Sequence, residues 1–289
     1  MVRRALRIFP IYYLVLFLLF IGVKKFPNPI PVDFKYYFLY LENYLFYIRQ
    51  SYPGGKVTPM WSLAVEEQFY LIWPWLILFV SRKNIKYVLF SGIVISISTM
   101  FLVPLLSEKK DFVVYLTPSC FDAFCWGGLL SYAQVYYKQQ LMNYSTGIMV
   151  IALSAIVLYI LSIAIKLPVD FYSRTLISVF VAWVLLLITT NKTGYFNSIL
   201  GNKVLISIGK ISYGIYLYHN FIPTLVNSVF HWFNKKNHSI SYLNQFIESV
   251  QSEQSIYSYI IYIIVLLAIS FMSFYLIEKP FLKLKTRFE

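Results

Sequence analysis

The sequence is poor in charge, and above all in negative charge. Of its 289 residues only 12 are Asp or Glu, and charged residues make up 13% of the chain, whereas soluble domains carry roughly 25%. Hydrophobic residues make up 59% and aromatic residues 20%. This composition excludes a disordered chain, and it is more apolar than one buried core requires. The surplus apolar surface is therefore expected to face lipid.

Cysteine is scarce as well. Cys120 and Cys125 lie in one apolar segment, at a spacing that would point them roughly 140° apart on a helix. This arrangement indicates neither a disulfide framework nor a metal site. A Gly-rich phosphate loop and a GxSxG nucleophile motif are also missing from the sequence. We therefore expect no metal and no permanently bound cofactor.

Basic residues are the one charged class in excess, with 25 Lys and Arg and a net charge of +13. In a soluble protein this excess would suggest a nucleic-acid partner. In a membrane protein it is explained by basic cytoplasmic loops and by attraction to anionic lipid. The lipid bilayer, and not nucleic acid, is the expected partner.

Long apolar runs dominate what is present. They are too long, and too free of alternation, for the strands of a membrane barrel. They predict an all-α, polytopic transmembrane helix bundle within a single membrane-embedded domain over residues 1–289. Eight candidate spans follow from them: Ile8–Val23, Trp61–Ser81, Tyr87–Ser107, Phe112–Tyr137, Gln139–Ile165, Thr175–Asn191, Ile211–Asn234 and Gln254–Ile277.

The basic clusters lie mostly against alternate ends of these runs, which predicts cytoplasmic N- and C-termini. Residues 24–60 then form an outer loop rich in proline and aromatic residues. Its aromatic side chains suit packing in the lipid headgroup layer, which we favour, or stacking on sugar rings.

Two adjacent acids interrupt the second run. Glu66 and Glu67 follow Trp61 and Ser62, and helical spacing places Glu66 on one face with Ser62 and Tyr70. A carboxylate in an apolar pocket can accept a proton from a hydroxyl, which is the work of a general base. A structural ion pair or a polar contact between helices is the alternative.

Other polar groups lie in the later runs. His219 shares a helical face with Ser212 and Tyr216, and it is either a catalytic base or a hydrogen-bond partner between helices. Asp122, in an apolar segment with Gly127 and Gly128, requires a buried partner.

Three arginines, Arg3, Arg4 and Arg7, open the chain. Guanidinium groups bind phosphate oxygens well, so this cluster is a candidate phosphate-binding site. A simple topology signal is the alternative reading.

Several local strings together resemble the acyltransferase-3 family of bacterial membrane acyltransferases. The strings are Arg3-Arg4-x-x-Arg7-Ile8-x-Pro10-x-Tyr12, Trp61-Ser62-Leu63-Ala64-Val65-Glu66-Glu67-Gln68-Phe69-Tyr70-Leu71, Phe121-Asp122-Ala123-Phe124, Gly209-Lys210-Ile211-Ser212-Tyr213-Gly214-Ile215-Tyr216-Leu217-Tyr218-His219 and Glu278-Lys279-Pro280.

The resemblance implies a ten-helix enzyme of the bacterial cytoplasmic membrane. It implies transfer of an acyl group, usually acetyl from cytoplasmic acetyl-CoA, to a hydroxyl of a glycan outside the membrane. Glu66, Glu67 and His219 would then be catalytic, with Glu66 the more dependable acid, and the three arginines would bind the donor. Trp61, Ser62, Tyr70, Asp122, Ser212, Tyr213 and Tyr216 would support them. A separate extracellular transferase or esterase-like protein is a further possible partner.

The sequence departs from the family pattern in two ways. The family begins with two further helices that carry an Arg and a His regarded as its central catalytic pair, so the chain is expected to be N-terminally truncated. The residue before Phe121 is often Arg in the family but is Cys120 here, and the sequence offers no substitute partner for Asp122. Two other functions stay open: a glycan or small-molecule transporter, which would also use acids at the membrane midplane, and a catalytically inactive remnant.

Overall fold

The computed structural model describes residues 2–22, 33–52, 56–109, 111–166, 172–190, 195–236 and 256–284. These residues form helices and turns, with no strand among them. The helices are α1 (Val2–Gly22), α2 (Phe34–Phe38), α3 (Glu42–Arg49), α4 (Met60–Phe79), α5 (Ile85–Leu106), α6 (Phe121–Tyr136), α7 (Lys138–Asn143), α8 (Ser145–Ala164), α9 (Ser173–Thr190), α10 (Tyr195–Leu200), α11 (Lys203–Tyr218), α12 (Ile222–Lys236), α13 (Ile256–Ser273) and α14 (Lys279–Lys283). A π-helical turn, Phe274–Glu278, joins α13 to α14.

Among the described residues, five helical segments are long and apolar enough to cross a membrane: Arg4–Ile21, Ile85–Leu106, Ser145–Ala164, Ser173–Thr190 and Ile256–Lys283. In each, the buried share of the most apolar window lies between 6% and 28%. Large side chains on these helices are open, as Leu106 at 83% exposure illustrates. Such apolar exposure is stable only against lipid. The prediction of an all-α membrane helix bundle is confirmed.

Three of the eight predicted spans are wrong as continuous helices. In Gln139–Ile165, α7 ends at Asn143 and α8 begins at Ser145, with Tyr144 between them. Phe112–Tyr137 begins with two 3₁₀ turns, Val113–Tyr115 and Pro118–Cys120, because Pro118 has no N–H to continue a helix from the preceding turn. Ile211–Asn234 is divided into α11 and α12 by a turn at His219–Phe221. Polar residues or proline lie at these breaks, such as Pro118, His219 and Asn220. A continuous transmembrane helix also tolerates single residues of these types, so composition alone did not reveal the breaks.

The described residues form two compact units. The terminal unit draws on Met1–Phe34, Gly54–Met60 and Gly201–Glu289. In it α11 packs on α13, and α1 packs on the π-helical turn and α14. Gly214 allows the close approach of α11 to α13, because a Cβ there would lie 3.3 Å from Cα of Ser270.

The central unit draws on Lys35–Pro53 and Trp61–Leu200. In it α5 packs on α6, α6 on α9, and α8 on α9. Gly128 lets α6 approach Leu89 of α5, whereas Gly127 faces open space. Cys120 and Cys125 are both buried as free thiols.

Candidate active site

Glu66 and Glu67 lie in the second turn of α4, in the central unit. Both are half-buried. The hydroxyl of Tyr70 donates to Oε2 of Glu66 over 3.4 Å, which confirms that residues four apart share this helical face. Ser62, one turn earlier, is half-buried as well. Glu66 therefore has a hydroxyl neighbour and is not sealed from access.

A buried amide network fixes α4 directly after these acids. Nε2 of Gln68 donates to the carbonyl of Tyr40 at 2.6 Å and to Oδ1 of Asn43 at 3.0 Å. Asn43 donates in turn to the carbonyl of Tyr115 at 3.1 Å and to Oγ1 of Thr117 at 3.0 Å, and the Thr117 hydroxyl donates to Oε1 of Gln68. A buried polar network of this kind specifies one register. Gln68 therefore sets where the two carboxylates lie.

An aromatic cluster lies at the start of α4. Trp61 meets Tyr115 edge-on, with ring centroids 4.7 Å apart. Tyr52 meets Phe112 at 4.7 Å and Phe46 at 5.9 Å, also edge-on, and its hydroxyl shares a 2.6 Å hydrogen bond with that of Tyr115. Tyr52 stays 53% exposed. We call these five side chains the aromatic cluster.

The segments that carry Tyr52 and Phe112 are joined to each other. The carboxamide of Gln50 donates to the carbonyl of Asp111 at 2.9 Å and accepts from its N–H at 3.0 Å. Gln50 and Phe112 both have positive φ, at 47° and 62°. Such conformations are uncommon for residues other than glycine, and they persist where surrounding contacts impose them. Tyr52 and Phe112 are thereby held together.

His219 lies in the terminal unit at the end of α11, and not within a span as predicted. Its Nδ1–H donates to the carbonyl of Tyr216 over 2.6 Å. This hydrogen bond fixes the tautomer of a neutral ring, so Nε2 carries the lone pair that can accept a proton. The arrangement suits a base.

Two residues near His219 donate hydrogen bonds to backbone carbonyls of the turn that precedes α4. The Tyr216 hydroxyl donates to the carbonyl of Pro59 at 2.6 Å, and Nδ2 of Asn220 donates to that of Lys56 at 3.5 Å. Burial lowers the pKa of the Lys56 ammonium. The turn before α4 is thus attached to the end of α11.

Ser212 and Tyr213 donate hydrogen bonds to backbone carbonyls within the terminal unit. The Ser212 hydroxyl donates to the carbonyl of Gly209 at 2.9 Å. The Tyr213 hydroxyl donates to that of Ile8 at 3.2 Å, which links α11 to α1.

The arginines differ in what the structure says of them. Arg4 is exposed, and the side chain of Arg3 lies outside the described residues. Arg7 donates from Nη2 to the carbonyl of Lys210 at 3.1 Å, and its Nε lies 3.6 Å from Oε2 of Glu278. Arg7 therefore has an ion partner within the terminal unit.

Asp122 has the buried partner that the sequence did not reveal. The Thr175 hydroxyl donates to its Oδ2 at 2.5 Å, and Asp122 is 3% exposed. The neighbouring Arg174 donates to the carbonyl of Ser119 at 2.7 Å and to that of Val114 at 2.9 Å. Arg174 thus binds two carbonyls of the segment that precedes Cys120, and Thr175 is the described partner of Asp122 for which the sequence offered no candidate.

Sequence reasoning missed Gln68, Arg174 and Glu278. Gln68 follows directly on the paired acids, and Arg174 is a lone cation in the first turn of an apolar helix. Either position was a signal that a polar partner existed, but neither showed which. No group of three His, Cys, Asp or Glu suited to a metal ion occurs in the described ranges.

Apolar helices that expose their sides, with carboxylates on one of the long helices, define an integral membrane protein with an internal polar site. The chain matches the acyltransferase domain model over residues 1–277, and it therefore belongs to the acyltransferase-3 family.

Three relatives illustrate the similarity. The chain is 27% identical over 211 residues to the O-acetyltransferase OatA of Staphylococcus aureus (strain NCTC 8325 / PS 47), covering 66% of this chain and 34% of that protein. It is 27% identical over 252 residues to the peptidoglycan O-acetyltransferase OatA of Listeria monocytogenes, covering 79% and 40%. It is 26% identical over 242 residues to the putative acetyltransferase ORF330 of Acidianus two-tailed virus, covering 78% and 66%.

The chain thus spans little more than a third of the first of these proteins and two fifths of the second. No solved structure matches it.

Proposed function

We propose that this protein is a membrane O-acetyltransferase that moves acetyl from acetyl-CoA to a hydroxyl of a cell-envelope glycan. Membership of the acyltransferase-3 family over residues 1–277 is the observation that carries this proposal. The names of the two bacterial relatives, both O-acetyltransferases, support oxygen as the acceptor atom, and one name points to a cell-wall glycan.

The chemistry requires a base for the acceptor hydroxyl. In the reaction a C–O bond forms at the acetyl carbonyl and the C–S bond breaks, while the hydroxyl proton passes through a base to the departing thiolate. We assign that base to Glu66, because its carboxylate already lies within reach of a hydroxyl, that of Tyr70. Glu67 and His219 are the further candidates, since Nε2 of His219 is left basic by its Nδ1 hydrogen bond.

The aromatic cluster supports a sugar as the acceptor. Tyrosine and tryptophan offer an apolar ring and a polar edge, as a pyranose does. Trp61 precedes Glu66 by five residues on α4, which is about 7.5 Å of helix rise. A sugar ring seated on the cluster could therefore present a hydroxyl near Glu66. Packing in the lipid headgroup layer is the competing role of these side chains.

We place the enzyme in the bacterial cytoplasmic membrane with both termini in the cytoplasm. The basic residues at both ends of the chain support this orientation. It puts Arg4 and Arg7 on the side where acetyl-CoA is found and leaves the glycan on the opposite side.

The test is the acetate content of the envelope in a host without O-acetylated glycans. Cells would express the wild-type chain, Glu66→Gln or Glu108→Gln, and base-labile acetate on the purified envelope glycan would be measured. Wild type and Glu108→Gln, which changes an exposed acid outside the site, should raise acetate equally. Glu66→Gln should leave it at the background level. Equal acetate with Glu66→Gln would exclude Glu66 as the base, and background acetate with the wild type would count against the function.

A further inference from the structure

Glu278 is a buried carboxylate that the proposed chemistry does not use. It is 0% exposed and closes the π-helical turn that follows α13. π-Helical turns are rare in proteins, and those that do occur are often found at functional sites. Neither of its oxygens has a hydrogen bond within the described ranges, and its ion partner is Nε of Arg7 at 3.6 Å. A buried charge is retained when it is paired, so Glu278 depends on Arg7.

Arg7 is held on two sides but not enclosed. Its Nε faces Glu278, and its Nη2 donates to the carbonyl of Lys210 at 3.1 Å. Its side chain nevertheless stays 38% exposed. Part of a planar guanidinium with fixed orientation is thus open to a ligand. Arg4 lies one turn earlier on α1, at the spacing that puts two side chains on the same face.

We propose that Glu278 is a positioning residue, whose carboxylate orients Arg7 so that Arg7 and Arg4 together bind phosphate groups of the acyl-CoA donor. This inference rests on the proposed function for the identity of the donor. A guanidinium fixed in advance loses less side-chain freedom when it binds phosphate, so donor affinity rises. Arginine suits this task because its fork of N–H groups matches phosphate oxygens.

The direction in which Glu278→Gln changes donor affinity distinguishes a positioning role from a purely electrostatic one. A carboxylate next to arginines weakens the local positive potential, so by charge alone Glu278→Gln should bind an anionic donor more tightly. If Glu278 were merely structural, a folded variant would bind the donor with unchanged affinity. Positioning predicts weaker binding, because Arg7 must then be ordered by the donor. The expected loss is about three- to tenfold in affinity.

The experiment measures equilibrium binding of acetyl-CoA, and of dephospho-CoA, which lacks the 3′-phosphate, to the purified full chain in lipid nanodiscs. Glu278→Gln is compared with Glu108→Gln, which removes an equal charge at an exposed position outside α1 and α13. We expect Glu278→Gln to weaken acetyl-CoA binding three- to tenfold and to reduce the preference for acetyl-CoA over dephospho-CoA. Glu108→Gln should bind as the wild type does.

Unchanged or tighter acetyl-CoA binding by folded Glu278→Gln would overturn the positioning role and leave the proposed function intact. A wild-type chain that binds no acetyl-CoA would instead overturn the proposed donor. Should Glu278→Gln fail to fold, Glu278→Asp keeps the charge and shortens the side chain by one methylene. That variant is expected to fold and to show the same loss in affinity, with kcat at saturating acetyl-CoA near the wild-type value and a raised KM. Wild-type affinity for it would again overturn the inference.

Discussion

Glu66 and Glu278 are both acids on apolar helices, and they differ in burial and in the contacts described for them. Glu66 is half-buried, with a neutral hydroxyl at 3.4 Å. Glu278 is fully buried, with a guanidinium nitrogen at 3.6 Å. A general base must reach its proton, whereas a buried ion pair stabilises one arrangement of helices. An acid in an apolar helix is therefore assigned a role by its accessibility and its partner, and not by its presence alone.

Asp122 is intermediate between these two acids. It is buried as Glu278 is, but its described partner is the hydroxyl of Thr175, and Arg174 beside it binds backbone carbonyls.

The largest expected effect is the loss of stability when Glu278 is deprived of its cationic partner. Arg7→Met leaves Glu278 buried without its cation. Breaking a buried ion pair usually costs about 3–5 kcal/mol of stability, and we expect about 3 kcal/mol here because Arg7 is partly exposed. Thermal unfolding in detergent measures this change, with Lys203→Met, at an exposed position, as the control. The contrast between the two acids fails if Glu66→Gln lowers the unfolding temperature as much as Arg7→Met does.

Arg174→Met should have a similar or slightly smaller effect. It removes two hydrogen bonds from a charged group to the carbonyls of Ser119 and Val114. We expect a loss of about 3 kcal/mol in the free energy of unfolding. Lys138→Met, at an exposed site in α7, is the matched control. Equal stability of these two variants would show that Arg174 does not hold the 3₁₀ turns beside Asp122.

Gln68→Leu tests whether the amide network holds α4 in register. The change removes the donor to Oδ1 of Asn43 and the acceptor of the Thr117 hydroxyl, so about 2 kcal/mol of stability should be lost. Acetyl transfer should also fall, because the carboxylate of Glu66 lies half a turn away on the same helix. If the variant is less stable but transfers acetyl at the full rate at a temperature where it stays folded, the amide network does not position Glu66.

Tyr70→Phe should have the smallest effect. It removes one long hydrogen bond to Glu66 and keeps the ring, so kcat should fall by about two- to fivefold. The unfolding temperature should not change. A loss as large as that of Glu66→Gln would mean that the Tyr70 hydroxyl itself takes part in proton transfer, and the two roles would have to be revised.

Periodicity and composition predicted the local features well. The spacing of four residues between Glu66 and Tyr70 predicted a shared face, and the hydroxyl reaches the carboxylate. Long apolar runs predicted the helix bundle, because spacing along one helix and transfer to lipid are both local properties.

Features that depend on tertiary contact were not predictable from one sequence. The pairing of Arg7 with Glu278, and of Asp122 with Thr175, joins helices far apart in the chain. The break after Tyr218 lies at His219 and Asn220, inside a longer apolar run. Two polar residues did not exclude a continuous span, so His219 was expected within one. Its Nδ1 hydrogen bond depends on that turn.

The most direct test of the central claim follows label from the donor into the glycan. Sealed membrane vesicles that carry the wild-type chain or Glu66→Gln would receive acetyl-CoA labelled in the acetyl group on their cytoplasmic face. Base-labile label in the glycan fraction would then be counted. We predict transfer with the wild type and a loss of about 100-fold or more with Glu66→Gln. Equal transfer by both chains would contradict the role of Glu66, and label that stays in acetyl-CoA with the wild type would contradict the proposed activity.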